Sequence, residues 1–525
     1  MEDCSHPNLI ARFSLDRSQK LAQNGVTMPA TSPRKVKESS RLTIKEYNRD
    51  IPWLGVSHTN QEWRSIMDML DAYSPFGEVR TVLSSLRPGI GFYGYQGSAT
   101  AMSLDHVLQR IIGLPALPSG LDRDIYGGGK GLTIEDSVLS SLGEAIERMI
   151  GAFSSFTPQT DAIERWASAD ELERAGENFI GPDDIRLFAP EQFEDRNFLC
   201  EEWRNDAKLL WIRGTNLLTD EQIYVPSQLV HLFYVRQSGE ARIGVSSSGG
   251  LATHRDLNAS LAHGILELIE RDAANLSWYC KVPPRPILFD RELTDPYITR
   301  WLESAERVGV KVTFYAHRTD CVGVTVVTAI SVEENLDEFC YLAGGGVGVT
   351  PEQAIRSAIA ELVQSERMVR IPQIAPSWRL VQGFNRLFGI NRDASNDDFD
   401  NFIQVVPFYG YVENQEKLDW YLRDPEIQPV ALSELSTEFC AGDELESALE
   451  ICRRSGLTPI AYDLTPVDFN SIALTKVFIP ELVPAFPPNM QMLGHERYST
   501  FRTLIEESEP PQRFAELTTD PLPYP

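Results

Sequence analysis

The sequence has little positive charge and no long apolar run. Its 48 lysine and arginine residues stand against 75 aspartate and glutamate residues, a formal net charge of −27. Such an acidic surface repels polyphosphate backbones and anionic membranes, which disfavours nucleic acid and membrane as partners. No stretch approaches the roughly 18 consecutive apolar residues that a membrane helix needs. Glu2 and Asp3 stand where a signal peptide carries positive charge, which favours a cytoplasmic location.

Cysteine and histidine are also scarce. The seven cysteines are odd in number and scattered, without a CxxC pair, which argues against a disulfide framework and a four-cysteine zinc site. We therefore expect most of them to be reduced residues of the core. The eight histidines are dispersed, and the HExxH and GxSxG motifs are missing. The familiar zinc-protease and serine-hydrolase chemistries are thus not supported.

The remaining composition is that of a globular protein, with 42% hydrophobic and 23% charged residues. Residues 1–76 are predicted to be a partly flexible N-terminal extension. Within it, Gln23–Ser40 is polar, contains proline and is weakly patterned, which indicates a flexible arm. Such an arm is either a tail without a role or a segment that docks a partner. One domain is predicted over residues 77–525.

Hydrophobic spacing within that domain indicates an α+β fold. Helical segments alternate with short β-rich runs such as Val310–Tyr315 and Val322–Ile330. Helical spacing is also present at Trp63–Tyr73, inside the extension.

Three predicted helices carry acidic residues on one face. Their polar positions are Ser141, Glu144, Glu147 and Arg148; Glu267, Glu270 and Arg271; and Glu361, Gln364 and Arg367. Glu267 and Glu270 are embedded in apolar neighbours, which implies burial. A buried carboxylate pair costs several kcal/mol unless a cation compensates it. Two interpretations remain open, a Mg²⁺-nucleotide site where the three helices converge and structural ion pairs with arginines.

Glycine-rich segments precede the first and third of these helices. Residues 127–131 and 344–348 are interpreted as loops whose backbone amides could cradle phosphates, with Lys130 adding charge. Lys130 is followed by glycine instead of Ser or Thr, so the P-loop pattern fails, and neither segment opens a dinucleotide-binding unit. A plain turn is the alternative.

Three sequence blocks together resemble the signatures of the YcaO-domain family. They are GGGKGLTIEDSVLSSLGEAIERMIG, SSSGGLATHRDLNASLAHGILELIERDA and GGGVGVTPEQAIRSAIAELVQSER. The stretch AYDLTPVDFNSIALTKVFIPELVPAF is similar to the segment that leads to the family's C-terminal end. The resemblance covers residues 77–525 and implies a multilayer α+β fold of mixed sheets flanked by helices. It also implies an enzyme that uses ATP and Mg²⁺ to act on peptide amide bonds.

The resemblance assigns roles to the acidic helices, which would hold ATP in place of a P-loop. By motif position, Glu144, Glu147, Glu267 and Glu270 would bind Mg²⁺ or shape the nucleotide site. The other residues expected to contact ATP or hold those carboxylates are Lys130, Ser141, Arg148, Arg271, Glu361, Gln364 and Arg367.

The C-terminal sequence PLPYP cannot form a helix, and such an end is usually frayed. It also resembles the PxPxP ending of azoline-forming YcaO members, in which the tail enters the active site. This resemblance assigns Pro521, Pro523 and Pro525 to the catalytic centre. It implies a cyclodehydratase subunit that converts Cys, Ser or Thr of a ribosomally made precursor peptide to thiazoline or oxazoline. Thioamide or amidine formation, and a catalytically silent docking scaffold, are the alternatives.

The sequence departs from the family pattern in three places. Thr253-His254-Arg255 stands where many members have a small residue followed by Gly-Asn, and Glu366 separates Ser365 from Arg367. Residues 1–76 are also much shorter than the adenylating-enzyme-like region of fused members. A separate leader-binding partner protein is therefore expected. The resemblance further suggests a homodimer and leaves open whether an azoline dehydrogenase oxidises the product.

Overall fold

The computed structural model describes residues 79–84, 94–103, 124–131, 133–154, 163–196, 198–374, 389–399, 402–435, 443–465, 472–505 and 512–524. The predicted arm, the helix predicted at Trp63–Tyr73 and the predicted domain boundary lie outside these ranges. Within them, no helix has both the length and the apolar character needed to cross a membrane. Five described cysteines are buried thiols that form no disulfide, as predicted: Cys200, Cys280, Cys321, Cys340 and Cys452.

The strands form three sheets. In chain order they are β1 (Val79–Ser84), β2 (Tyr95–Ser103), β3 (Asp124–Gly131), β4 (Glu164–Ala167), β5 (Leu209–Asn216), β6 (Gln222–Pro226), β7 (Leu251–His254), β8 (Arg285–Leu288), β9 (Thr313–Ala316), β10 (Thr325–Val332), β11 (Tyr341–Gly348), β12 (Val430–Ala431), β13 (Ile460–Asp463) and β14 (Ala473–Phe478). The sheet orders are β1-β2-β3, β11-β10-β9-β8-β12 and β4-β5-β13-β14-β7, with β6 also paired to β5. Among the pairs formed between these described strands, only that of β8 and β12 is parallel.

Helices cover these sheets. They are α1 (Ile134–Phe153), α2 (Ala169–Ala175), α3 (Ser227–Val230), α4 (Leu257–Tyr279), α5 (Pro296–Arg307), α6 (Pro351–Ile374), α7 (Val405–Tyr409), α8 (Glu444–Ser455) and α9 (Arg497–Leu504). The predicted α+β class is confirmed. So are the two β-rich runs, which contain β9 and most of β10.

Each acidic helix follows a strand after only two residues. α1 follows β3, α4 follows β7 and α6 follows β11. N-cap residues fix the starts of α1 and α4. The side chains of Thr133 and Asp256 accept backbone N–H groups of the first helical turn. With so short a connection the helix runs back across its own sheet. We refer to β3–α1, β7–α4 and β11–α6 as the three strand–helix units.

The glycine-rich segments are strands, so the expectation of phosphate-binding loops is wrong. Side chains alternate between the two faces of a strand. A Cβ at Gly129 would overlap backbone atoms of α1, and a Cβ at Gly346 would overlap backbone atoms of α6. Glycine at these positions lets each helix approach its strand far more closely than alanine would. The close approach, and not phosphate binding, explains these inward-facing glycines.

The far end of α4 enters an aromatic cluster. Trp278 packs edge-on against Tyr409 and Tyr421, with ring centroids 6.1 and 5.0 Å apart. All three rings are buried. This cluster is the part of the core that the C-terminal tail reaches.

Candidate active site

The three strand–helix units share one hydrogen-bonding device. In each, a glycine N–H at the strand donates to a glutamate carboxylate on the following helix. The pairs are Gly128 with Glu144 at 3.0 Å, Gly250 with Glu267 at 2.9 Å and Gly345 with Glu361 at 2.8 Å. The partners are 16, 17 and 16 residues apart in sequence. Each bond fixes one carboxylate oxygen.

Carboxylates of the first two units lie close together. Glu147 on α1 accepts the backbone N–H of Thr253 in β7 at 3.0 Å, which ties the two units to each other. Burial raises the pKa of Glu147 well above its ordinary value, and the charges of Glu267 and Glu144 raise it further. Arg148 holds Glu144 in an ion pair of 2.6 Å. This corner of the site therefore concentrates negative charge in a partly buried place.

The third unit joins through Lys130 of β3. Its Nζ lies 2.5 Å from Oε1 of Glu361 on α6. Burial alone would raise the pKa of Glu361, but the positive charges of Lys130 and Arg271 lower it. Burial and then the charge of Glu361 raise the pKa of Glu270. The three acidic helices thus converge, and carboxylates from α4 and α6 face each other.

The C-terminal tail ends at this cluster. The Tyr524 ring lies under the Arg271 guanidinium, with 5.6 Å from Cζ to the ring centroid. Its hydroxyl donates to Oε1 of Glu270 at 3.4 Å. Tyr524 is only 2% exposed. Arg271 also reaches Glu267, at 4.0 Å.

Side chains of the aromatic cluster hold the tail through its carbonyl groups, together with Tyr341, whose ring lies 5.9 Å from that of Tyr409. Trp278 Nε1 donates to the carbonyl of Asp520 at 2.8 Å. Tyr409 donates to that of Pro521 at 2.6 Å, and Tyr341 to that of Pro523 at 2.7 Å. Pro521 and Pro523 are buried, while Pro525 lies outside the described residues. A proline-rich tail has few N–H groups, so recognition through its carbonyls suits its chemistry.

Two predicted residues have other contacts. The Ser141 hydroxyl is fully buried and donates to the Val138 carbonyl of its own helix at 2.8 Å. Arg367 Nη2 donates to the carbonyl of Gly94 at 3.3 Å and pairs with Glu366. The Gln364 amide, in contrast, lies against Gly128, so it borders the Glu144 corner. The nucleotide-binding roles expected of these residues stay predictions.

Residues 253–255, the first departure from the family pattern, have their side-chain contacts outside the carboxylate cluster. Arg255 pairs with Asp256 and Glu444 on an exposed surface. Burial, and then the charges of His263 and Arg255, lower the pKa of His254 to about 4. Thr253 contributes through its backbone N–H, for which any residue except proline would serve.

Sequence reasoning missed Lys476 and Tyr524. Lys476 is the one charged residue in β14, a strand whose residues are all buried. Its Nζ donates to the carbonyls of Ser247 and Gly249 at 2.8 and 2.7 Å. A lysine inside an otherwise apolar or hydroxylated strand is the signal that could have pointed to it.

A model of one protein family matches most of this site. It is described as YcaO cyclodehydratase, ATP- and Mg²⁺-binding, and it matches residues 128–483, which is more than half of the chain. The chain belongs to the YcaO family. The match contains the three acidic helices, and the cofactors of the family are ATP and Mg²⁺.

This YcaO protein is similar in sequence to a curated relative and in fold to solved YcaO-like structures. An uncharacterised protein of Methanothermobacter thermautotrophicus is 28% identical over 365 residues, covering 68% of this chain and 81% of the relative. A heterocyclase solved with substrate and cofactor has a TM-score of 0.69 at 18% identity, over 89% of this chain. The chain spans only 57% of the length of that heterocyclase. The YcaO protein of Methanopyrus kandleri bound with AMPPCP and Mg²⁺ has a TM-score of 0.53 at 18% identity, over 80% of this chain and 90% of that one.

The carboxylates of this YcaO protein suit a Mg²⁺ ion that is bound together with a nucleotide. Among the described residues, no group of three or more His, Cys, Asp or Glu side chains forms a ready-made metal cage. Mg²⁺ seldom needs one, because it takes one or two carboxylates together with water and substrate phosphates. Burial and neighbouring carboxylates raise the pKa values of Glu147 and Glu270, so their charged forms are disfavoured, and a divalent cation would favour them.

Proposed function

We propose that this YcaO protein is an ATP- and Mg²⁺-dependent cyclodehydratase subunit. Its substrates are Cys, Ser or Thr residues of a ribosomally made precursor peptide. The side-chain thiol or hydroxyl attacks the preceding carbonyl carbon, and the carbonyl oxygen takes the γ-phosphoryl group of ATP. Loss of that oxygen with phosphate then leaves thiazoline or oxazoline, together with ADP. Phosphorylation is needed because an amide oxygen is otherwise a poor leaving group.

The position of the C-terminal tail carries this proposal. The sequence resembles the ending of azoline-forming members, and support comes from the contacts of Tyr524 with Glu270 and Arg271, two residues of the proposed nucleotide site. Buried aromatic side chains donate hydrogen bonds to three carbonyl groups of the tail, which a frayed end would not accept. This packing supports an azoline-forming enzyme over a YcaO chemistry that lacks such a tail.

The site residues have mainly orienting roles in this proposal. Glu144, Glu147, Glu267 and Glu270 would hold Mg²⁺, which supplies electrostatic stabilisation during phosphoryl transfer. Arg148 orients Glu144, and Lys130 orients Glu361. Fixed groups of this kind promote the reaction because they need no rearrangement as charge develops.

Mass spectrometry of the peptide product tests the proposal. The protein would be mixed with ATP, Mg²⁺, and the partner protein and short peptide encoded beside it. The expected result is loss of one water mass for each modified residue. A chain without residues 521–525 should leave the peptide unmodified. A chain with Arg513→Ala, an exposed change upstream of the tail, is the matched control and should behave as the full protein.

Two results would contradict the proposal. Steady ATP hydrolysis with an unchanged peptide mass would indicate a missing external nucleophile, such as a sulfur donor, and favour thioamide formation. Absence of Mg²⁺-nucleotide binding would favour a docking scaffold.

The same mixture tests the proposed partners, because modification that depends on the second protein supports a leader-binding role. The proposed homodimer is tested by light scattering, and oxidation by a dehydrogenase by a further loss of two hydrogens.

A further inference from the structure

Lys476 occupies an unusual place for a lysine. It lies in the middle of β14, between β7 and β13, where its backbone pairs with Leu251 and Tyr462. The residue is only 3% exposed. Lysine is rarely buried to this degree unless its ammonium group is paired, because desolvation of the charge is costly.

The ammonium group faces the first two strand–helix units. Two of its hydrogen bonds go to the carbonyls of Ser247 and Gly249. The charges acting on it are those of Glu267 and then Glu147, both among the proposed Mg²⁺ ligands. Burial lowers the pKa of Lys476 to about 8, and these two carboxylates oppose that shift.

The segment that Lys476 holds is the one that orients Glu267. Gly250 has a positive φ of 77°, a conformation that L side chains rarely adopt. Its N–H donates to Glu267 at 2.9 Å, and its carbonyl accepts the N–H of Val477 at 2.8 Å. The carbonyls bound by Lys476 come immediately before this turn. The lysine side chain therefore holds one side of the turn, and the backbone of β14 holds the other side through the Val477 N–H.

We propose that Lys476 is a positioning residue of the Mg²⁺-nucleotide site, which holds segment 247–250 so that the Gly250 N–H orients Glu267. The inference rests on the proposed metal–nucleotide site and is independent of the azoline product. Lys476 acts through the backbone of this segment and through its charge, and it does not act as a metal ligand. The carboxylates of α1 and α4 would then be arranged before Mg²⁺-nucleotide binds.

Calorimetric titration with Mg²⁺ and a non-hydrolysable ATP analogue tests the inference without any peptide. Lys476→Met is expected to weaken analogue binding by about tenfold, since it removes two charge-assisted hydrogen bonds. Lys476→Arg should retain most of the affinity because it keeps a cationic donor. Thr475→Val is the matched control, as its hydroxyl bonds Ser260 on the other face of β14. It should lower stability slightly and leave binding unchanged.

The outcomes separate this inference from the proposed function. If the unaltered protein does not bind the Mg²⁺-analogue complex, the metal–nucleotide site itself is wrong. If it binds, and folded Lys476→Met binds equally well, then Lys476 only fills the core and the inference is wrong. Should Lys476→Met not fold, Lys476→Gln decides in the same way, because the amide keeps a donor but no charge.

Discussion

At the scale of single residues, the site depends on side chains whose neighbours arrive from far along the chain. Tyr524 and Glu270 are 254 positions apart, and Lys130 and Glu361 are 231 apart. Each pair places a polar or cationic group against a carboxylate of the site. Changes at these positions should therefore alter chemistry more than stability.

Glu144→Ala and Glu267→Ala are each expected to abolish ATP turnover while the protein stays folded. Each change removes a carboxylate that the proposal assigns to Mg²⁺, whose stabilisation of phosphoryl transfer would be lost. Phosphate release and a thermal unfolding curve measure the two effects. Glu173→Ala, at an exposed position of α2, is the control. Normal turnover in either site variant would overturn the assignment.

Tyr524→Phe and Tyr524→Ala should lower kcat/KM for the peptide by different amounts. The Phe variant loses only the hydroxyl contact with Glu270, for which we expect about a two- to tenfold decrease. The Ala variant also loses the ring beneath Arg271, and a decrease on the order of a hundredfold is expected. Tyr297→Ala removes a similar ring beside Arg356, away from the site, and controls for the general effect. Equal rates for Tyr524→Ala and the original protein would show that the tail has no catalytic part.

At the scale of elements, the strand–helix unit combines close packing with carboxylate placement. Alternate glycines of β3 and β11 face their helix, and those between them face the site. The same three-glycine run therefore serves two needs. One face lets the helix approach, and the other leaves space beside the carboxylates.

Alanine at the two kinds of glycine should separate stability from function. A Cβ at Gly345 would lie 2.6 Å from Oε1 of Glu270, and one at Gly128 would overlap the Gln364 amide, so both changes disturb the site. Gly129→Ala and Gly346→Ala instead push a helix off its strand, and a loss of about 2 kcal/mol or more is expected. Urea unfolding and nucleotide titration measure the two properties. The same stability loss at all four positions would contradict this division.

The start of α6 gives a prediction for pH dependence. Burial alone would raise the pKa of Glu352, but hydrogen bonds from Thr294 and Arg291 outweigh it and lower the pKa to about 2. A lowered pKa means that the charged form stabilises the fold above the ordinary value near 4.5 and that this contribution fades as pH falls towards 2. Glu352→Gln should therefore cost about 1–2 kcal/mol at pH 7. The gap in urea midpoint should narrow below about pH 4.5, and a constant gap would contradict the assignment.

At the scale of the whole molecule, a buried ion network joins distant segments behind the site. Arg497 at the start of α9 binds Asp272 of α4 at 2.7 Å and Asp320 at 2.6 Å. Asp272 also accepts the N–H of Val483. Asp272 follows Arg271 directly in sequence, so the network anchors the α4 turn that presents Glu270 and Arg271 to the site.

Arg497→Met is expected to destabilise the protein by about 3–5 kcal/mol, because it leaves the fully buried Asp272 carboxylate without its cation. Asp272→Asn combined with Arg497→Met should recover part of that loss, since no unpaired charge remains. Chemical unfolding of the single and double variants measures both. A double variant that is less stable than Arg497→Met alone would argue against an unpaired charge as the cause.

The acidic helices, the buried cysteines and the α+β class could all be predicted from the sequence. They depend on local periodicity, and residues three or four apart on a helix must share a face whatever surrounds them. The spacing of Glu144 and Glu147, or of Glu267 and Glu270, was therefore enough to predict that each pair shares one helix face. The family motifs added the cofactors in the same way.

Long-range packing determined the rest. The glycine runs are strands because they pair with neighbouring strands and pack against a helix. Composition alone cannot distinguish such a strand from a loop. Ser141 lies in a motif and Arg367 is displaced by one position from one, and only the structure shows that their hydrogen bonds go to Val138 and Gly94. Lys476 and Tyr524 lie near the carboxylates only because β14 and the C-terminal tail pack against α4. Sheet pairing and tail docking bring together residues hundreds of positions apart, and no periodic pattern in the sequence records which of them will touch.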